Sequence, residues 1–392
     1  MKYRSVLSIG TLAVATAVVC SLGPVAAAPR FGGNESSGGG QATPAAATAQ
    51  KAAPATAKLW TMPRTADGKP DLQGTWSNAT LTPLERLPGQ GLILTDAQTA
   101  QIENRTKEVA AFRDAPSDPN RPPPVKGGED RPLPPGEPTF IERISASAGG
   151  KVGGYNNFWL DPGERVLRID GKPRGAMVID PPDGRVPALT PEARTRAMQR
   201  AARTKAFGEF DHPELRGLAE RCLLSFGSNA GPPMVPNYFY NNNYQIVQTK
   251  DHVMIMTEMV HDVRIIRMGA GLEHPPKPVR PWLGDSIGRW DGDTLVVETT
   301  NFHPQQQYRG ASENLKITER FTRAGPDQIL YRFTVEDPTT FVAPWTAESA
   351  FNRTEEMIYE YACHEGNYAL SNVLSGERSK EKRDAEKIKK PQ

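Results

Sequence analysis

Three side chains interrupt apolar rows in a way that matters for chemistry. If the second half of the chain is strand, residues two apart share a face. Leu315, Ile317, Glu319 and Phe321 then place a carboxylate in an apolar row, while Lys316, Thr318 and Arg320 form the polar face opposite. Glu360 falls between Ile358 and Ala362, and His261 lines up with Val263 and Ile265. An acid or imidazole buried without a partner costs several kcal/mol, so such groups are paired or used. Two carboxylates and an imidazole suit acid–base chemistry, with Glu319 and Glu360 as acid and base and His261 as proton shuttle or ligand-orienting group. The structural alternative is that a bulge turns these groups outward, or that arginines pair with them.

Further residues are candidates for holding a ligand. Arg264 and Asp285 border the same rows, and Trp290 follows Asp285 by five positions. Tyr244 closes the aromatic, asparagine-rich run 237–244, whose rings could stack on a sugar or an aromatic ligand. His364 follows Cys363 at the end of an expected strand, where a barrel mouth would offer binding groups. The six histidines are scattered without metal-ligand spacing, so neither a metal site nor a cofactor is expected. The nucleophile elbow, the zinc-protease helix and the phosphate loop are absent. Gly284-Asp285-Ser286 resembles an esterase nucleophile block, but no late Asp-x-x-His follows it.

The elements that must position these groups are mostly short strands. Extended runs are expected at 244–249, 252–259, 261–268, 293–300, 314–322, 328–336 and 357–363. Arg289-Trp290 leads into Asp291-Gly292, a hairpin signal, and the run 293–300 follows. Without crossover helices the pattern predicts an all-β fold. Its form is an antiparallel meander closing into a lipocalin-like β-barrel, or else a β-sandwich. Gly74-Thr75-Trp76 marks a first strand. Two accessory helices are expected, one capped by Thr95 and running to Arg113, one starting at Thr190-Pro191 and running to Ala206.

The N-terminus is basic, then apolar from Val6 to Val19, then small up to Ala27, the pattern of a signal peptide over residues 1–27. Residues 28–58 read as a flexible Ala/Gly/Thr-rich spacer, 59–375 as one β-rich domain and 376–392 as a charged disordered tail. The proline-dense stretch 115–138 reads as a long surface loop. The expected location is the periplasm or the exterior, with no transmembrane segment in the mature protein. The charge balance is +2, and removing Lys2 and Arg4 brings it near zero. A neutral domain has no electrostatic footprint for nucleic acid, so the expected partner is a small organic molecule. In an oxidising compartment Cys222 and Cys363 are expected to pair, closing a loop of about 140 residues.

Several blocks resemble an uncharacterised family of exported bacterial proteins. They are Val178-Ile179-Asp180-Pro181-Pro182-Asp183-Gly184-Arg185, Glu220-Arg221-Cys222, the run Asn243 to Gln248, the run Gly284 to Val297 and the run Tyr361 to Tyr368. The resemblance spans about residues 71 to 370. It implies export and one domain, and supplies neither a reaction nor site residues. The function expected is that of an exported small-molecule-binding barrel, with non-redox acid–base catalysis on a ligand held inside. A pure carrier or an envelope scaffold are the alternatives.

Overall fold

The computed structural model describes residues 60–114, 120, 161–207, 210–225, 231–238 and 240–389. The expected signal peptide and spacer, and nearly all of the proline-dense stretch, lie outside the described residues. The elements in chain order begin with β1 (Gly74–Ser77), α1 (Asp96–Asp114), β2 (Arg168–Ile169), β3 (Lys172–Pro173), β4 (Val178–Asp180) and α2 (Pro191–Phe207). They continue with β5 (Asn243–Gln248), β6 (His252–Thr257), β7 (Val263–Met268), β8 (Asp285–Asp291) and β9 (Thr294–Thr300). The last are β10 (Lys316–Gly325), β11 (Gln328–Glu336), β12 (Trp345–Arg353) and α3 (Ala369–Lys389).

Nine strands, β1 and β5 through β12, close into a barrel through the β1–β12 pairing, and β4 adds to β12. The fold is therefore the expected all-β barrel with accessory helices. It departs from a pure meander at one place, because β7 and β8 run parallel. The departure is a matter of parity: a closed ring of nine strands cannot alternate direction at every junction. The parallel junction needs a crossover of a dozen or more residues, and 269–284 supplies it. Pro275, Pro276, Pro278 and Pro281 keep that strap from pairing as a strand of its own.

Period-2 alternation fills the interior. Ile317, Glu319, Phe321 and Arg323 of β10 face Ile329, Tyr331, Phe333 and Val335 of β11, all of them buried. Trp345, Ala347, Ser349 and Phe351 of β12 continue the layer, and Met234 and Val235 of the loop before β5 pack into the same core. Trp76 is fully enclosed, with the guanidinium carbons of Arg323 and Arg353 4.7 and 4.9 Å from its ring centre. Arg323 also donates to the carbonyls of Asp71 and Gly325, at 2.9 and 2.8 Å.

Both expected helices form with their expected caps. Thr95 Oγ1 accepts from Gln98 N at 3.2 Å, and Thr190 Oγ1 accepts from Ala193 N at 3.1 Å. Two expectations are corrected. The stretch 357–363 is not a strand; the last barrel strand, β12, ends at Arg353 before it. Residues 376–389 of the charged run are not a structureless tail but part of α3, where Lys380–Glu377, Arg378–Glu381 and Lys387–Asp384 pair one turn apart. No helix among the described residues is long and apolar enough to cross a membrane.

Candidate functional site

Of the acid–base trio, the structure brings Glu319 inside and leaves the other two elsewhere. Glu319 is fully buried on β10, as its row predicts. Its carboxylate oxygens lie 3.1 and 2.8 Å from Arg264 Nη1, and Oε1 accepts from the Tyr331 hydroxyl at 2.8 Å. Tyr331 in turn accepts from Met234 N at 3.2 Å. Burial, reinforced by the Glu319 charge, pushes the Tyr331 phenol well above its ordinary range, so it stays a donor. These contacts make Glu319 an internal brace between strands.

Glu360 lies exposed on the coil after β12, because the chain has left the sheet at Arg353. It does not share a face with Glu319. His261 is exposed in a tight turn between β6 and β7, with positive φ at Val260 and at His261 itself. Its Nδ1 is 3.0 Å from the carbonyl of Tyr361. That turn sets the parity of β7 opposite to the expected one. Val263 and Ile265 face out, 44% and 59% exposed, and Arg264 and Ile266 face in. Arg264 is thus a core residue, with Nε and Nη2 buried and unpartnered among the described residues.

Tyr244 is also a core residue. It packs edge-on against Phe351, and its hydroxyl lies 3.2 Å from Asn78 Nδ2. Burial holds its phenol above the ordinary range. His364 is exposed in the turn that follows the disulfide. Cys222 and Cys363 are bonded, with Cα atoms 5.7 Å apart. Ser286 of the esterase-like block points inward, 2.8 Å from Thr299 Oγ1; Asp285, one residue before, points outward.

Asp285 and Trp290 lead to the groove that sequence reasoning did not assemble. An open groove of about 1090 Å³ lies where β7 ends and the strap begins. Its wall includes Met268, Leu272, His274, Arg289, Trp290 and Glu298. Three strands and the strap position the polar set. Asp285 opens β8 on the outer face and accepts from Arg267 of β7 at 2.8 Å. His274 comes from the strap; its Nδ1 lies 2.6 Å from the same Asp285 oxygen. Its Nε2 is turned toward Glu298 Oε1 of β9, at 3.6 Å.

Local sequence explains why His274 sits there. Pro275 follows it and restricts His274 to extended backbone. The strap is tied down on both sides of it: Arg267 Nη2 donates to the carbonyl of Glu273 at 3.1 Å, and Asn301 Nδ2 to that of Pro275 at 2.8 Å. The Lys316 ammonium, 2.7 Å from Glu298, holds that carboxyl below the usual range, and His274 adds to the effect. Asp285 accepts on one side of the ring and Glu298 on the other, so Nδ1–H is directed at Asp285 and Nε2, when it carries a proton, at Glu298. The arrangement is an imidazole oriented by one carboxylate and facing another, which can take up and return a proton.

His274 was missed because it lies in a proline-rich connection, where strand parity says nothing. Its only signal is the pairing of a histidine with the distant Asp285, which the parallel β7–β8 junction creates. Among the described residues no group of three or more His, Cys, Asp or Glu side chains is arranged to hold a metal. Comparison with known proteins gives no matching family model and no matching curated protein.

Proposed function

We propose that this chain is an exported barrel protein that binds a small organic molecule in the groove at the β7–β8 junction and performs acid–base chemistry on it. His274 is the proton-transferring group, Asp285 its positioning residue and Glu298 the second carboxylate. The reading keeps the non-redox class expected from the sequence and moves its site from the barrel interior to the outer wall. The barrel interior is filled by buried side chains, mostly aromatic and aliphatic, with Glu319 held by Arg264 and Tyr331, whereas the groove is open.

One observation carries the reading: a histidine clamped at 2.6 Å by Asp285, with its other nitrogen 3.6 Å from Glu298, in the wall of a groove. Met268, Leu272 and Trp290 supply apolar surface for an organic ligand beside it. The chemistry that the oriented His274 and Glu298 support is proton transfer, as in a lyase, an isomerase or a water-activating hydrolase. The bonded Cys222–Cys363 pair supports an oxidising compartment.

The test uses the mature chain and small-molecule extracts of bacterial envelopes, with depletion and product formation followed by mass spectrometry. Wild type is expected to convert a compound that His274→Gln binds but leaves intact, with a rate loss of roughly 10²–10⁴. A compound retained unchanged by both proteins would make the chain a carrier. Equal turnover by both would remove His274 from the chemistry.

A further inference from the structure

The groove also exposes a piece of unpaired main chain. Strand β8 runs to Asp291, but its parallel neighbour β7 stops at Met268, opposite Gly288. On the other side, β8 stays paired with β9 to the end of the hairpin, where Asp291 faces Thr294 across Gly292-Asp293. The pair flanking a two-residue hairpin turn exchanges hydrogen bonds, and bonded and non-bonded pairs then alternate. Asp291, Arg289 and Ile287 therefore direct their N–H and C=O toward β9. Gly288 and Trp290 direct theirs the other way.

An independent contact fixes the same phase. Gly269 N donates to the Gly288 carbonyl at 3.3 Å, so that carbonyl points toward the β7 side. Two residues further on, the Trp290 N–H and C=O point the same way. By then the strap has turned off through Gly269 and Gly271, with φ of +155° and +72°. Neither Trp290 group has a hydrogen-bond partner among the described residues. Trp290 lines the groove together with Gly269, Ala270 and Gly271, which are small enough for another backbone to approach.

We infer that the groove takes an extended peptide segment, one residue of which pairs with the free N–H and C=O of Trp290. This rests on the reading of the groove as the ligand site and names the class of ligand. A donor and an acceptor side by side on a strand edge match one amino-acid residue, whose own C=O and N–H have the complementary spacing. Strand addition of this kind draws affinity from the main chain and selectivity from adjoining side-chain surfaces. Here those surfaces are Met268, Leu272 and the half-buried Trp290 ring. The groove volume of about 1090 Å³ lies just above the roughly 300–1,000 Å³ of small-molecule sites, which leaves room for more than one residue.

The experiment is amide exchange and ¹⁵N spectroscopy of the mature chain with acetyl-trialanine amide, and with the analogue methylated at every amide nitrogen. In the free protein the Trp290 amide is expected to exchange much faster than that of Arg289, which β9 protects. The peptide is expected to slow Trp290 exchange at least fivefold and to shift the His274 ring signals, and the methylated analogue to bind at least tenfold more weakly. A peptide that moves His274 without protecting Trp290 would overturn the inference and leave the groove as a ligand site. A peptide that affects neither would overturn it too, while the extract test of His274 stands on its own result. Trp290→Pro removes an N–H that β9 does not use, and Trp290→Ala controls for the ring. Pro is expected to weaken the peptide tenfold beyond Ala, and equal weakening would count against the pairing.

Discussion

Asp285 Oδ2 lies 2.6 Å from His274 Nδ1 and 2.8 Å from Arg267 Nη2, so one oxygen both orients the imidazole and is itself held by a guanidinium. An acceptor in that place selects the Nδ1–H tautomer. Ring ¹⁵N spectra of the neutral imidazole are expected to show Nδ1 protonated in the wild type. Asp285→Asn should lose that selection and give a mixture of tautomers. A wild-type ring protonated at Nε2 would leave the groove without its base.

Inside the barrel, Arg264 and Glu319 stand or fall together. Removing one charge of a buried pair strands the other, at a cost of about 3–5 kcal/mol, whereas replacing both by apolar groups is often close to neutral. Glu319→Gln is therefore expected to lower unfolding free energy by that amount. Arg264→Met/Glu319→Leu should recover most of it in the same urea titration. If Glu319→Gln were as stable as the wild type, the brace would contribute nothing to stability.

Much of this barrel was legible because period-2 rows survive in the sequence. Leu315, Ile317, Glu319 and Phe321 all face inward as their alternation predicts, and Asp291-Gly292 turns where it should. The failures share a physical cause: small buried residues and tight turns erase the period. In β12, Ala347, Glu348, Ser349 and Ala350 are all buried, on two faces, so no row stands out. In β7 the positive-φ turn at Val260 and His261 reset the register, and a one-residue slip exchanges the two faces. The groove was illegible for a further reason. Its histidine comes from the β7–β8 strap and its two carboxylates from the β8–β9 hairpin, and strand parity does not say how the strap lies over the sheet.

The disulfide ties Cys363, on the coil after β12, to Cys222 in the segment before β5, with a sequence separation of 141. That coil is also anchored by Tyr359 N donating to Glu258 at 3.2 Å and by the 3.0 Å contact of His261 Nδ1 with the Tyr361 carbonyl. Cys363→Ser is expected to cost about 2–5 kcal/mol in global stability. Limited proteolysis should show new cleavage between Thr354 and Tyr368 with the barrel core intact. Unchanged cleavage would mean that the non-covalent anchors suffice.

Acid should stabilise one corner of the molecule. Asp161 sits near Glu258 and Glu356; burial first, and the Glu356 charge next, raise its pKa from 3.8 to about 6. Burial raises Asp262 to about 6 as well, against the pull of His261. A carboxyl whose folded pKa exceeds its unfolded one binds its proton more tightly when folded, so stability rises as pH falls through that window. The window is pH 6 to about 4. The full shift at Asp161 corresponds to roughly 3 kcal/mol, and partial exposure leaves on the order of half of it. Glu298 and Asp291, held below the usual range by Lys316 and Arg320, lose their contribution only at more acidic pH and do not mask the effect at pH 5. Asp161→Asn, neutral throughout, is expected to raise the urea midpoint at pH 7 and to flatten its rise toward pH 5. Parallel midpoint curves for wild type and variant between pH 7 and 5 would show that Asp161 does not carry this term.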